Sequence, residues 1–175
     1  MIYWFKNLPN DNIDLSEWKP FIKNEWIRKN YMIFVYILMG FLSLLSIRLR
    51  IWVNTNILIA FFIYVLVFVL HELLHIITVI FKGDISLTHS ELFFWINTNV
   101  ILSKKRYFLF MSLPIIALSI LPFGLCLLSG LHIRNYLMII CWFNLIIASS
   151  DIINSLLIII KPNHTLFYKG FYKLK

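Results

Sequence analysis

Residues 71–75 read His-Glu-Leu-Leu-His. On an α-helix, residues four apart lie one above the other, so His71 and His75 present their imidazoles on one face and can hold a single metal ion. Zinc suits such nitrogen donors, at about 2.0–2.1 Å. Glu72 lies beside that face, where a carboxylate can polarise a water molecule and carry its proton. The pentad sits inside an apolar run from about Trp52 to Phe81. A charged side chain at the centre of a membrane helix costs about 2.5–3.5 kcal/mol on the insertion scale, so ionisable groups there read as functional by default. The bland alternative is a set of polar groups hydrogen-bonded between helices.

A catalytic zinc site usually has three protein ligands and one open position. Six of the eight acids (Asp11, Asp14, Glu17, Glu25, Asp84 and Glu91) lie outside the long apolar runs, leaving Glu72 and Asp151 inside. His71 and His75 precede Lys82 by about 16 Å and about 10 Å of helix, and Asp151 precedes Lys161 by about 15 Å. These similar depths make Asp151 the candidate third ligand. Its bland reading is a carboxylate bonded to a neighbouring helix or to Asn154. Asn144, Ala148, Asp151 and Ser155 share one face of a continuous helix, a small and polar stripe that permits close packing. Asn144 is a candidate for positioning substrate or a water, or for an interhelical bond, and Asn154 for supporting Asp151. His89, His132 and His164 read as surface histidines. Cys126 and Cys141 read as small hydrophobes.

The elements that must position these groups follow from composition. Of 175 residues, 61% are hydrophobic and 14% charged, against about 45–50% and about 25% in soluble domains. One soluble core of this size cannot hide so much apolar surface. Disorder and a disulfide-stapled scaffold are excluded as well. The chain reads as an all-α integral membrane protein with about four transmembrane helices: Tyr31–Ile47, Trp52–Phe81, Tyr107–Ser129 and Tyr136–Ile160. Pro114 and Pro122 predict kinks in the third. The first run has neither the length nor the flank of a cleavable signal.

Charge supplies the orientation. Thirteen of the sixteen basic residues fall in the N-terminal segment, the loop between helices two and three, or the C-terminal tail. The positive-inside rule then puts both termini in the cytoplasm. The net charge of +8 thus reads as topology, with the lipid bilayer as partner and no nucleic acid. Three regions follow: a cytoplasmic or interfacial segment over 1–30, a membrane domain over 31–160 and a basic cytoplasmic tail over 161–175. Between helices two and three, Ile85–His89 alternates, Glu91–Ile96 is β-prone, Asn97-Thr98-Asn99 signals a turn, and Val100–Leu102 is apolar. This stretch reads as a short β-hairpin or as an interfacial amphipathic loop.

The constellation resembles the intramembrane zinc metalloproteases of the site-2 protease class, in which an H-E-x-x-H helix and an Asp on a later helix bind zinc. More closely, the HELLH helix, Leu113-Pro114 at the next helix and Ser150-Asp151-Ile152-Ile153-Asn154 late in the chain look like a bacterial zincin peptidase family. The resemblance implies His71, His75 and Asp151 as Zn2+ ligands and Glu72 as the catalytic acid/base. It also implies a bacterial cytoplasmic membrane setting and a membrane protein or peptide as substrate. The site-2 Asn-Pro-x-x-x-Leu-Asp-Gly pattern is not reproduced, since no Pro separates Asn144 from Asp151 and Ile152 replaces the Gly. Two other classes compete with a membrane metalloendopeptidase: a non-enzymatic metal- or proton-handling protein, and an inactive relative that regulates a membrane partner.

Overall fold

The computed structural model describes residues 2–5, 14–52, 55–80, 85–90 and 93–175. It is mostly helical, and among the described residues three stretches are long and apolar enough to cross a membrane, or four with a bent pair of helices counted as one span. The first is α2 (Tyr31–Arg48), entered from the short α1 (Glu25–Lys29). The second is α3 (Ile57–Val79). It starts later than the apolar run because the Asn56 side chain accepts the Leu58 N–H at 2.8 Å and caps it. The third is α4 (Lys104–Ile115), continued through a π-helical turn (Ile116–Ile120) into α5 (Leu121–Cys126). Pro114 and Pro122 both lie within it, so the expected irregularity takes the form of a π turn beside a proline.

The fourth run is not one straight helix. α6 (Leu131–Ile147) and α7 (Ser149–Ile159) meet at a 66° bend. At the bend Ala148 leaves helical geometry (φ −76°, ψ 12°), and the Ser149 hydroxyl donates to the Ile146 carbonyl at 2.8 Å, a local bond that competes with the helical ladder. The continuous stripe of Asn144, Ala148, Asp151 and Ser155 is therefore corrected. Asn144 and Asp151 belong to two helices, and the bend brings both inward.

The all-α expectation is corrected too, because two small sheets stand at one end of the bundle. One has the order β1 (Ile2–Phe5), β3 (Ile85–Ser90), β4 (Phe93–Thr98), with β3 and β4 an antiparallel hairpin and β1 parallel to β3. The expected hairpin over 85–102 is thus present as β3–β4, closed across residues 91–92, which lie outside the described residues. Asn97-Thr98-Asn99 marks the end of β4 and not the hairpin turn. The other sheet is antiparallel, in the order β2 (Lys19–Pro20), β7 (Phe171–Leu174), β6 (Thr165–Tyr168), β5 (Leu102–Ser103). Its β6–β7 hairpin turns through Lys169 (φ 40°) and Gly170 (φ 80°). Two central residues with positive φ are the signature of the tight turn that matches strand twist.

Packing ties the sheets to the helices. α3 packs on α4 and α6, α4 on α7, and α2 on α6 and α7. A core of Phe21, Ile158, Phe167 and Tyr172 joins the N-terminal segment, α7 and the C-terminal hairpin, and a second joins Val79, Leu102 and Phe110. Lys104 donates to the carbonyls of Ile159 and Lys161, satisfying groups that the end of α7 leaves open. Lys161 donates to the Phe21 carbonyl at 2.9 Å and sits 4.0 Å from the Tyr172 ring centroid. Away from this end the helices leave Leu44, Ile57, Phe61 and Phe62 well exposed.

Candidate metal centre

The helical spacing of the HELLH pentad does what geometry requires. His71 and His75 lie on the buried face of α3 with interplanar angle 76° and ring centroids 4.9 Å apart. Asp151 enters from the first turn of α7, where the 66° bend has created a helix N-terminus that favours a carboxylate. Its Oδ2 is 3.1 Å from His71 Nε2 and 3.1 Å from His75 Nε2, and the two Nε2 atoms are 3.2 Å apart. All three residues are buried, at 3%, 6% and 6% exposure. They form a donor group able to hold a metal ion.

The other nitrogen of each ring is already engaged. His71 Nδ1 lies 2.8 Å from Asn144 Oδ1 and His75 Nδ1 lies 2.7 Å from the Phe110 carbonyl oxygen. Asn144 is itself fixed, because its amide nitrogen donates to the Pro114 carbonyl at 3.0 Å and to Ser119 Oγ at 2.8 Å. Its Oδ1 must therefore accept, and so must the Phe110 carbonyl. These partners assign both protons to Nδ1 and leave both Nε2 atoms with free lone pairs. With both imidazoles neutral, two lone pairs and a carboxylate oxygen thus converge. A proton on one Nε2 serves one side of this triangle; a single cation serves all three. Ligand atoms about 2.0–2.1 Å from a tetrahedral zinc lie about 3.3–3.4 Å apart, close to the observed 3.1–3.2 Å. The donor set fits zinc in number, type and spacing.

The free Phe110 carbonyl has a sequence cause. Pro114 stands four residues later and has no N–H to give it, and the proline is inside α4. The carbonyl that an ordinary helix would use internally is released to His75. One turn on, the π-helical stretch interrupts the ladder again, and the Pro114 carbonyl accepts from Asn144. The irregular third span thus supports His75 through the Phe110 carbonyl and holds, through the Pro114 carbonyl and Ser119, the Asn144 amide that supports His71.

A family model described as "Putative zincin peptidase" matches residues 64–166. The chain belongs to this zincin peptidase family. The match runs from within α3 to the start of β6 and so covers all the converging residues. Comparison with curated proteins and with solved structures returns no match. The family implies a zinc metallopeptidase, and the donor set above agrees with that metal.

In this zincin-family chain the other expected site residues divide. Glu72 is half-buried beside the cluster, near enough to feel the charges of His71, His75 and Asp151. Among the described residues it makes no hydrogen bond. Asn144 is fully buried with its amide saturated, so it orients His71 rather than facing a substrate. Asn154 does not support Asp151. It accepts from the Tyr31 hydroxyl at 3.0 Å, and that hydroxyl also lies 3.2 Å from the Ser150 carbonyl. His164 is exposed, and both cysteines are free and buried. The sequence reading missed Phe110, Ser119 and Tyr31. A proline four residues after Phe110 is the only local signal for the first, and it cannot say which donor the freed carbonyl meets.

Proposed function

We propose that the protein is a membrane-embedded zinc endopeptidase that cleaves membrane proteins or membrane-associated peptides. The observation that carries this reading is the convergence of His71 Nε2, His75 Nε2 and Asp151 Oδ2, with each Nδ1 bonded to an acceptor and Glu72 at their side. His71, His75 and Asp151 are the ligands. Zinc bound there supplies a Lewis acid for the scissile carbonyl and brings the pKa of water into the neutral range. Glu72, with no competing partner among the described residues, takes the proton from the attacking water and returns it to the leaving amine. Asn144 and the Phe110 carbonyl hold the imidazoles in the required tautomer and orientation.

The exposed apolar helices support burial of this site in a bilayer, and the distribution of Lys and Arg supports both termini lying in the cytoplasm of a bacterial cell. A peptide must be extended for its carbonyl to be attacked. β4 is the outer strand of its sheet, and an extended substrate can add to such an edge, as the likeness to site-2 proteases also suggests. The test is cleavage of a membrane-spanning reporter peptide by the purified protein in detergent micelles. Cleavage by wild type and loss of at least about a hundredfold in Glu72→Gln are expected, the lower range for a positioned acid/base. Equal cleavage by both removes Glu72 from the reaction. Zinc or proton flux in liposomes without cleavage favours a transport role, and a co-purifying partner held equally by both forms favours a regulatory one.

A further inference from the structure

A cavity of about 690 Å3 opens at the end of the bundle that carries the sheets. Its size falls within the usual range for ligand sites, about 300–1,000 Å3. Strand residues Thr98, Leu102, Phe167 and Phe171 line it together with Tyr107 and Phe110 of α4. Phe110 is shared with the metal centre. It lines the cavity, while its carbonyl engages His75 and its ring centroid lies 4.7 Å from that imidazole. Asn154, another lining residue, is one turn beyond Asp151 on α7. The cavity is therefore linked to the converging ligands through Phe110 and through α7. Among the described residues its charged lining is Arg28 and Lys169, with no acid. Arg28 is exposed, and among the described residues its guanidinium has no ion pair. The nearby Glu25 is 3.1 Å from Lys29 instead.

We infer that this cavity seats the substrate, taking apolar or aromatic side chains of a peptide whose acidic residue meets Arg28 at the rim. The inference rests on the peptidase reading above. Apolar walls desolvate aromatic or aliphatic side chains, and the shared Phe110 keeps the bound segment next to the metal centre. The rim sets selectivity by charge. With this end in the cytoplasm, most membrane helices bring Lys or Arg to it and meet like charge, whereas acidic flanks meet a complementary one. An acyl chain suits the walls equally, but the wall shared with His75 and the α7 helix of Asp151 favours a peptide.

The experiment uses full-length, zinc-loaded Glu72→Gln protein in nanodiscs of neutral lipid. Two fluorescent peptides share one Phe- and Leu-rich segment and differ only in a Glu or Lys flank. Their binding is read by anisotropy. The Glu peptide should bind up to about fivefold tighter, the upper range for a surface ion pair. Arg28→Glu should reverse the order, and Val100→Trp, which intrudes on the cavity, should weaken both. Equal binding of the two peptides, or indifference to both substitutions, overturns the inference. Loss of the Arg28 effect only when phosphatidylglycerol is added assigns the rim to a lipid headgroup and overturns it too. Cleavage of both peptides by wild type at equal kcat/KM leaves the peptidase reading standing without this seat. Selective binding with no cleavage leaves the seat and removes the peptidase reading.

Discussion

Replacing Pro114 with Ala should make the helix more regular and the metal centre worse. The substitution restores an N–H four residues after Phe110, aimed at the carbonyl that engages His75 Nδ1 at 2.7 Å. That carbonyl then divides between its own helix and the imidazole. Losing most of a hydrogen bond of about 1 kcal/mol, at a position where ligand-supporting contacts are worth about 10- to 100-fold in affinity, weakens zinc binding about tenfold. Stability without metal moves the other way. A proline inside a helix costs about 3 kcal/mol, while removing its two extra methylenes from this fully buried position costs about 1.6 kcal/mol. Zinc-free Pro114→Ala should therefore be no less stable than wild type, by about 1 kcal/mol in its favour. Competition with a chromophoric chelator in detergent gives the affinity, and unfolding of the chelated protein gives the stability. Unchanged zinc affinity refutes the role assigned to the released carbonyl. A large loss of stability with proportionate loss of zinc shows that Pro114 acts only through packing.

Asn144→Ala takes the acceptor from His71 Nδ1 and the amide donor from the Pro114 carbonyl and Ser119 Oγ; zinc affinity should fall about 10- to 100-fold, with the chelator assay as the check. Tyr31→Phe removes the bonds to Asn154 and Ser150 and should cost about 1–2 kcal/mol in unfolding measurements, with zinc stoichiometry retained. Lys104→Met uncaps the end of α7 at Ile159 and Lys161 and should cost about 1.5–3 kcal/mol, the scale for hydrogen bonds to a charged group, again read by unfolding.

What the residues disclosed depended on how local the cause was. Helical periodicity alone put His71 and His75 on one face, and the rarity of acids in apolar runs singled out Asp151. The third span's irregularity followed from Pro114 and Pro122. The α6–α7 bend did not, because the break at Ala148 and the Ser149 bond to the Ile146 carbonyl carry no local signal: serine makes the same bond inside the unbroken α2, at Ser46. The roles given to Asn144 and Asn154 depended on that bend, so the continuous-helix reading misassigned their neighbours. The second sheet was hidden for a different reason. Thr165–Leu174 places two β-prone aromatic runs, Leu166–Tyr168 and Phe171-Tyr172, on either side of Lys169-Gly170, which is a hairpin pattern, but its lysines read as a membrane-orientation signal. Lys161, counted with them in the basic tail, serves structure as well, since it bridges the Phe21 carbonyl and the Tyr172 ring.

The zinc content of the purified protein tests the converging lone pairs most directly. About one zinc per chain is expected in wild type and in Glu72→Gln, and none above background in the His71→Ala/His75→Ala double variant or in Asp151→Ala. Zinc retained by the double variant, or a folded wild type that takes up no zinc when it is supplied, contradicts the assignment of His71, His75 and Asp151 as one metal site.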